Sequence, residues 1–257
     1  GSLLQGFAVR ARVIHALLLR ELATRFGRTQ LGFLWLFIEP LMLASAIGAI
    51  HWFADRSKTP GVSVFVFFLI GYVPFFAFRA VISRAVGAFH SNMTLMYHRQ
   101  VRLFDIVLAR HLLEVGAVLT VLMMVVIGVA MFTERLPYSV PALVGGSLLI
   151  VLYAHGLGML AAAAASVSEI AERLIHPLIY LSMPLSGAFF AMHSLPPSIR
   201  NLLLWNPQVH MHEMVREGMF GDLLPTYFDV PYALGAVAVA NLLGMAALRA
   251  VRPRLEF

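Results

Sequence analysis

Six apolar stretches, each long enough to cross a bilayer, constrain this chain more than any other feature. They cover residues 31–53, 62–82, 103–132, 140–166, 174–192 and 231–250. A crossing takes about 20 mostly apolar residues, and in lipid each backbone N–H and C=O must be bonded within its own segment, so the runs must be helices. Charged residues make up 12% of the 257, against about 25% in a soluble domain. A water-facing surface would need the missing charge. The expected fold is therefore all-α and polytopic, one membrane domain over 1–257 with six transmembrane helices. An N-terminal interfacial helix and short external re-entrant or interfacial helices before the last span complete it.

The basic residues test this topology. With both termini cytoplasmic, the inner segments hold Arg10, Arg12, Arg20, Arg25, Arg28, Arg79, Arg84, Arg99, Arg102, Arg110, Arg173, Arg249, Arg252 and Arg254. The outer segments hold Arg56, Lys58, Arg135, Arg200 and Arg216. The ratio, roughly 14 to 5, is a strong positive-inside bias. The net charge of +6 thus reads as membrane orientation and not as nucleic-acid binding. The absence of cysteine excludes disulfides and thiolate chemistry without fixing a compartment.

The segments between the runs differ in kind. Residues 7–28 form a helix-prone basic leader, expected to lie at the inner surface. Arg10, Arg12, Arg20 and Glu21 interrupt it, so no cleavable signal peptide is expected, and Gly1-Ser2 in place of Met reads as an expression scar. Residues 83–102 form a long cytoplasmic connection. Residues 103–132 exceed the hydrocarbon thickness, so the turns bearing Asp105 and Arg110 are expected to project into headgroups or cytosol. Residues 194–230 are too polar to span. Pro196-Pro197 predicts a short helix ending near Trp205. Asn206-Pro207, an N-cap followed by proline at the first helical position, predicts a second that stops at Gly221. The second reads as an amphipathic helix at the outer interface. Gly156, Gly158 and residues 161–165, with Gly235, Ala240 and Gly244 in the last span, supply small residues for close helix packing.

Motifs for chemistry are sparse. No GxxxxGK[ST] phosphate loop, HExxH pair or cysteine-based metal pattern occurs. His210, His212 and Glu213 resemble a metal cluster, but residues two apart do not share a helix face. His51, His111, His155 and His176 read as isolated packing histidines. No serine nucleophile with a base can be assigned. The intramembrane charges carry more information. Glu39, beside Pro40 about two turns into the first span, is costly in lipid unless paired. It reads as a carboxylate bonded to an arginine of another helix, as a channel-lining gate, or as both. Arg110 and Glu114 stand at i,i+4 and can pair. Aromatic residues crowd the first two spans, Trp35 and Tyr72 among them. Most such rings belong to interfacial belts; some can stack on sugar faces.

Two stretches resemble a known family: RFGRTQLGFLWLFIEPLML at 25–43 and LMYHRQVRLFDIVLARHLLE at 95–114. They look like the permease subunit of ABC-2 type exporters, in particular the capsular polysaccharide export permease of Gram-negative bacteria (KpsM type), and the likeness covers nearly the whole chain. The resemblance implies a homodimer docked on two copies of a cytoplasmic ABC ATPase. ATP and Mg would sit on that partner, leaving this chain without cofactor, metal or catalytic residue. Also implied are a periplasmic adaptor of the polysaccharide co-polymerase type, a lipid-linked polysaccharide as substrate, and the inner membrane as location. Trp35, Glu39, Tyr72 and Arg79 would face the channel. Arg25, Arg28 and Arg84 would meet the phosphate of the lipid anchor. Ser91, Asn92, Met93, Leu95, Tyr97, His98 and Arg99 would lie on the coupling segment, within 91–101, that seats on the ATPase. The alternatives are an O-antigen, teichoic-acid or drug exporter permease, a lipid-modifying membrane enzyme, or a membrane anchor with no transport path.

Overall fold

The computed structural model describes residues 3–26, 30–53, 62–93, 101–133 and 136–255, without the side chains of 3–7, 25–26, 30–37, 40, 51–53, 132–133 and 254–255. The described secondary structure is helical. Helices α1 (Leu3–Phe26), α2 (Gln30–Phe53), α3 (Val64–Val86), α4 (Leu103–Thr133) and α5 (Val140–Val167) are followed by α6 (Glu169–Ser182). Two short helices, α7 (Pro197–Leu203) and α8 (Pro207–Phe220), precede the last, α9 (Val230–Leu255).

Four helices among the described residues are long and apolar enough to cross a membrane: Val64–Val86, Leu103–Met131, Val140–Val167 and Val230–Pro253. They coincide with the second, third, fourth and sixth expected spans. Within α2, which covers the first, Leu41–Ile50 is a shorter apolar helix. The fifth expected span is not one rod. Its helix α6 has 14 residues and reaches about 21 Å, short of a hydrocarbon core of about 30 Å. The chain then tightens into a 3-10 turn at Met183–Leu185, where Pro184 lacks a backbone donor. It turns again at Gly187, whose φ of 79° suits a residue without Cβ.

Side-chain caps fix several helix starts. Ser63, Ser139, Ser168 and Asn206 accept from backbone N–H groups of α3, α5, α6 and α8. The central helix is α5, which packs on α3, α8 and α9. Its approach to α9 needs small residues: a Cβ on Gly156 would stand 2.5 Å from the Ala240 carbonyl carbon, and one on Gly244 2.6 Å from the Gly156 oxygen. Gly235 has nothing within 4 Å of such a Cβ, so it takes no part in this seam.

The main core joins Phe75, Phe76, Phe78 and Val81 of α3 to Val121 and Leu122 of α4, Leu143 and Ile150 of α5, and Met211 and Val215 of α8. A second core seats Leu17 of α1 against Ala85, Phe89, Ile106 and Val107. The leader therefore packs on the bundle through one face while Arg10 and Arg12 stay exposed. Leu181, Met131 and Leu242 point outward, as lipid-facing side chains of a multi-pass membrane protein do.

Candidate functional site

On α3, Tyr72, Phe76 and Arg79 follow one another at i, i+4 and i+7 and so share a face. Arg79 lies about 10 Å along the axis from the Val86 end of α3. Its Nη2 donates to Glu39 Oε1 of α2 at 3.0 Å, and its Nη1 donates to the Tyr180 hydroxyl of α6 at 2.7 Å. The guanidinium also stands 4.9 Å from the Phe76 ring centroid and 5.7 Å from that of Tyr180. Three helices thus meet at one cation. The Arg79 side chain is 21% exposed and that of Glu39 37%, so the pair is neither sealed in protein nor free. Tyr72 is buried, its ring 6.3 Å from Phe76 and 6.0 Å from Phe189. Trp35 lies on α2 with its side chain outside the described residues.

The partner expected for Glu39, an arginine of another helix, is Arg79. Tyr180 was not singled out by sequence. Its only signal is that it is the one tyrosine of the fifth apolar stretch.

A second polar network binds α1 to one end of α3 and α4. Arg110 donates from Nε to Glu21 Oε1 at 2.9 Å, from Nη1 to the Arg84 carbonyl at 2.9 Å, and from Nη2 to Ser91 Oγ at 2.7 Å. Arg20 Nη1 donates to Asn92 Oδ1 at 2.6 Å, and Asn92 Nδ2 donates to the Ala88 carbonyl at 3.0 Å. Arg84 pairs with the buried Glu114. The expected pairing of Arg110 with Glu114 along α4 is therefore corrected. Arg110 pairs with Glu21 of α1 and Glu114 with Arg84 of α3, so both charges are used to join helices. Of the residues expected on the ATPase-coupling segment, Ser91, Asn92 and Met93 are described, and the first two belong to this network. Leu95, Tyr97, His98, Arg99 and Arg28 lie outside the described residues, as does the side chain of Arg25.

The α7–α8 excursion forms where Asn206-Pro207 and Gly221 place it, but α8 does not lie on a surface. Gln208, His210, His212, Glu213 and Arg216 are all buried, and α8 packs on α3, α5 and α9. Of the two expected placements, interfacial or re-entrant, α8 does not take the first: it is folded back into the bundle. What permits this is internal pairing of its charges. Arg216 Nη1 donates to Glu213 Oε1 at 2.9 Å, with both side chains 0% exposed. Arg216 Nη2 reaches the Ala188 carbonyl at 2.9 Å, and its guanidinium covers Phe67 at 4.4 Å. Glu213 Oε2 accepts from the Tyr227 backbone N–H at 3.1 Å. His210 accepts at Nδ1 from the Asp229 backbone N–H at 2.9 Å, and its Nε2 meets the Leu204 carbonyl at 2.8 Å. His212 Nδ1 meets the Gln208 carbonyl at 3.0 Å. The members of the metal-like cluster are spent on separate partners. His111 and His155, read from sequence as isolated, meet edge to face across α4 and α5 with ring centroids 4.7 Å apart.

Comparison with known proteins agrees with this architecture. The profile of the ABC-2 type transporter family matches residues 12–220. The chain is 36% identical over 246 residues to the capsule polysaccharide export inner-membrane protein CtrC of Neisseria meningitidis serogroup B, covering 95% of this chain and 93% of that one. It is 35% identical over 242 residues to the protein of the same description, BexB, of Haemophilus influenzae, covering 94% and 91%. It is 30% identical over 250 residues to the polysialic acid transport protein KpsM of Escherichia coli, covering 95% of each.

Proposed function

The chain belongs to the ABC-2 type transporter family, and from that premise we propose that it is the membrane permease of an ATP-driven capsular polysaccharide exporter. Its cargo is a polysaccharide on a lipid anchor, moved across a bacterial inner membrane. One observation carries this reading: near full-length similarity, at 30–36% identity, to relatives named for capsule polysaccharide export or polysialic acid transport. The polar content of the bundle fits it. A polymer cannot be enclosed in a single pocket; it needs a continuous path with polar and aromatic walls, opened from one side at a time.

In this reading two copies of the chain enclose the path, with both termini cytoplasmic. Two ABC ATPase subunits supply the hydrolysis, with ATP and Mg bound on them. A co-polymerase type adaptor receives the polymer in the periplasm. Trp35, Glu39, Tyr72 and Arg79 contribute to the path. Ser91, Asn92 and Met93, with Leu95, Tyr97, His98 and Arg99, seat on the ATPase. Arg25 and Arg28 meet the anchor's phosphate; Arg84 does so only by leaving Glu114.

Deleting the gene from an encapsulated strain tests the proposal. The expected result is polysaccharide accumulating in the cytoplasm and lost from the surface, both reversed by the intact gene. Accumulation of a polyprenyl-linked glycan instead would assign the chain to an O-antigen or teichoic-acid type exporter. Unchanged glycan distribution would end the reading.

A further inference from the structure

The Glu39–Arg79–Tyr180 junction has the features of a binding site that already holds a stand-in for its ligand. We propose that Arg79 is an anion subsite for the transported glycolipid, occupied at rest by the Glu39 carboxylate and aimed by Tyr180. The ligand group is a sugar carboxylate or a phosphate diester. This inference rests on the glycan-export reading.

Here the carboxylate engages Arg79 through Oε1 at Nη2 alone, while Nη1 is turned to a phenol. That phenol accepts from Arg79 and so retains its own O–H to donate. A guanidinium N–H and a phenol O–H are therefore both available to an anion that displaces Glu39.

Exposure makes the exchange feasible. The Arg79 and Glu39 side chains are 21% and 37% exposed, against 0% for both members of the Glu213–Arg216 pair. The packing of this chain therefore leaves one side of the Glu39–Arg79 pair accessible, where it seals the Glu213–Arg216 pair on all sides. Replacing one carboxylate by another keeps Arg79 neutralised, and the displaced Glu39 is the charge the site must then accommodate.

The walls suit a sugar. Tyr180 flanks the guanidinium and is exposed, while Phe76 and Tyr72 pack behind it in the core. The Tyr180 ring offers an apolar face to sugar C–H groups while the cation takes the charged substituent. Displaced Glu39 would turn to the open side of the junction, which in the glycan-export reading lines the path, and would rebind when the anion moves on. A competitor of this sort favours release, as a moving polymer requires.

The test uses the permease–ATPase complex in nanodiscs of uncharged lipid. It reads the half-saturating concentration of a uronic-acid oligosaccharide and of its carboxyl-reduced neutral counterpart. Glu39→Gln removes the competitor and is expected to tighten binding of the acidic probe by about tenfold, leaving the neutral probe unchanged. Arg79→Gln is expected to weaken the acidic probe by about tenfold and erase the preference, with Arg79→Lys between them. Tyr180→Phe loses the O–H donor and is expected to weaken the acidic probe by about threefold. A parallel arm replaces the oligosaccharide with phosphatidylglycerol in the nanodisc; a Glu39→Gln gain confined to that arm supports the subsite and assigns it to a phosphate. Equal shifts for acidic and neutral probes, or tightening in neither arm, overturns the proposal. Failure of the unaltered complex to bind either oligosaccharide would sink the glycan-export reading instead, and the lipid arm would still decide the subsite.

Discussion

Two glutamate–arginine pairs in this molecule have the same chemistry and opposite settings. Glu213–Arg216 lies within α8 with both side chains fully buried, Arg216 also held by the Ala188 carbonyl and Glu213 by the Tyr227 N–H. Glu39–Arg79 joins two helices and remains partly open. The first contributes to folding because neither member can be hydrated alone. The second can separate. Surroundings, and not the identity of the two residues, decide whether an intramembrane ion pair is a fixture or a working part.

The largest effect should come from breaking the sealed pair. Arg216→Ala leaves Glu213 charged and dry, and a buried pair broken this way costs about 3–5 kcal/mol. We expect loss of most folded protein, read as the yield of monodisperse protein in detergent and its unfolding midpoint. Glu213→Leu combined with Arg216→Met should recover part of that yield, because the stranded charge is gone. Recovery stays incomplete, since the Ala188 carbonyl and Tyr227 N–H lose partners at about 1–3 kcal/mol each. A stable Arg216→Ala protein would mean that α8 is not sealed and would dissolve the contrast.

Gly218→Ala tests the same seat without touching charge. A Cβ there would stand 2.2 Å from the Leu143 backbone nitrogen, so α8 must shift off α5. Overpacking of this kind costs about 1–3 kcal/mol, and a lowered unfolding midpoint is the expected reading. An unchanged midpoint would show that α8 tolerates displacement.

How far the contrast was legible depends on the range of the signals. The limits of α8 are local: Asn206 caps it, Pro207 starts it and Gly221 ends it, all readable from adjacent residues. Its burial is not local. Its histidines, Glu213 and Arg216 give a polar helix by composition, and only partners far along the chain, Ala188 and Tyr227 among them, make that polarity affordable inside. The same holds on the other side. Glu39 in an apolar run demands a cation, but which arginine answers depends on α2 meeting α3, and Tyr180 comes from α6, 101 residues from Arg79. The fifth apolar stretch was readable as membrane-embedded; that it stops after Ser182 follows from where Pro184 and Gly187 let the chain turn back.

An intermediate case lies where α1 meets α3 and α4. Arg110 joins Glu21, the Arg84 carbonyl and Ser91, with its pair to Glu21 only modestly exposed. Arg110→Lys keeps the charge but not the three-way fork. Glycan-stimulated ATP hydrolysis by the permease–ATPase complex should fall by about threefold to tenfold, while Arg110→Lys protein remains folded. Equal loss of folded protein and of coupling would place this cluster with the fixtures.

The smallest effect on folding belongs to Glu39→Gln. The amide still accepts from Arg79, whose side chain is already partly exposed. Lining a water-filled path, such a pair contributes about 0–1 kcal/mol, so the unfolding midpoint should stay close to that of the parent protein. The measurement separates two meanings of a carboxylate in lipid. If Glu39 were there to stabilise the bundle, its loss should approach the cost of Arg216→Ala, and the Arg79 junction would be a second fixture. A near-unchanged midpoint, together with altered binding of an acidic glycan, would mean that the charge is kept in the membrane for what it releases and not for what it holds.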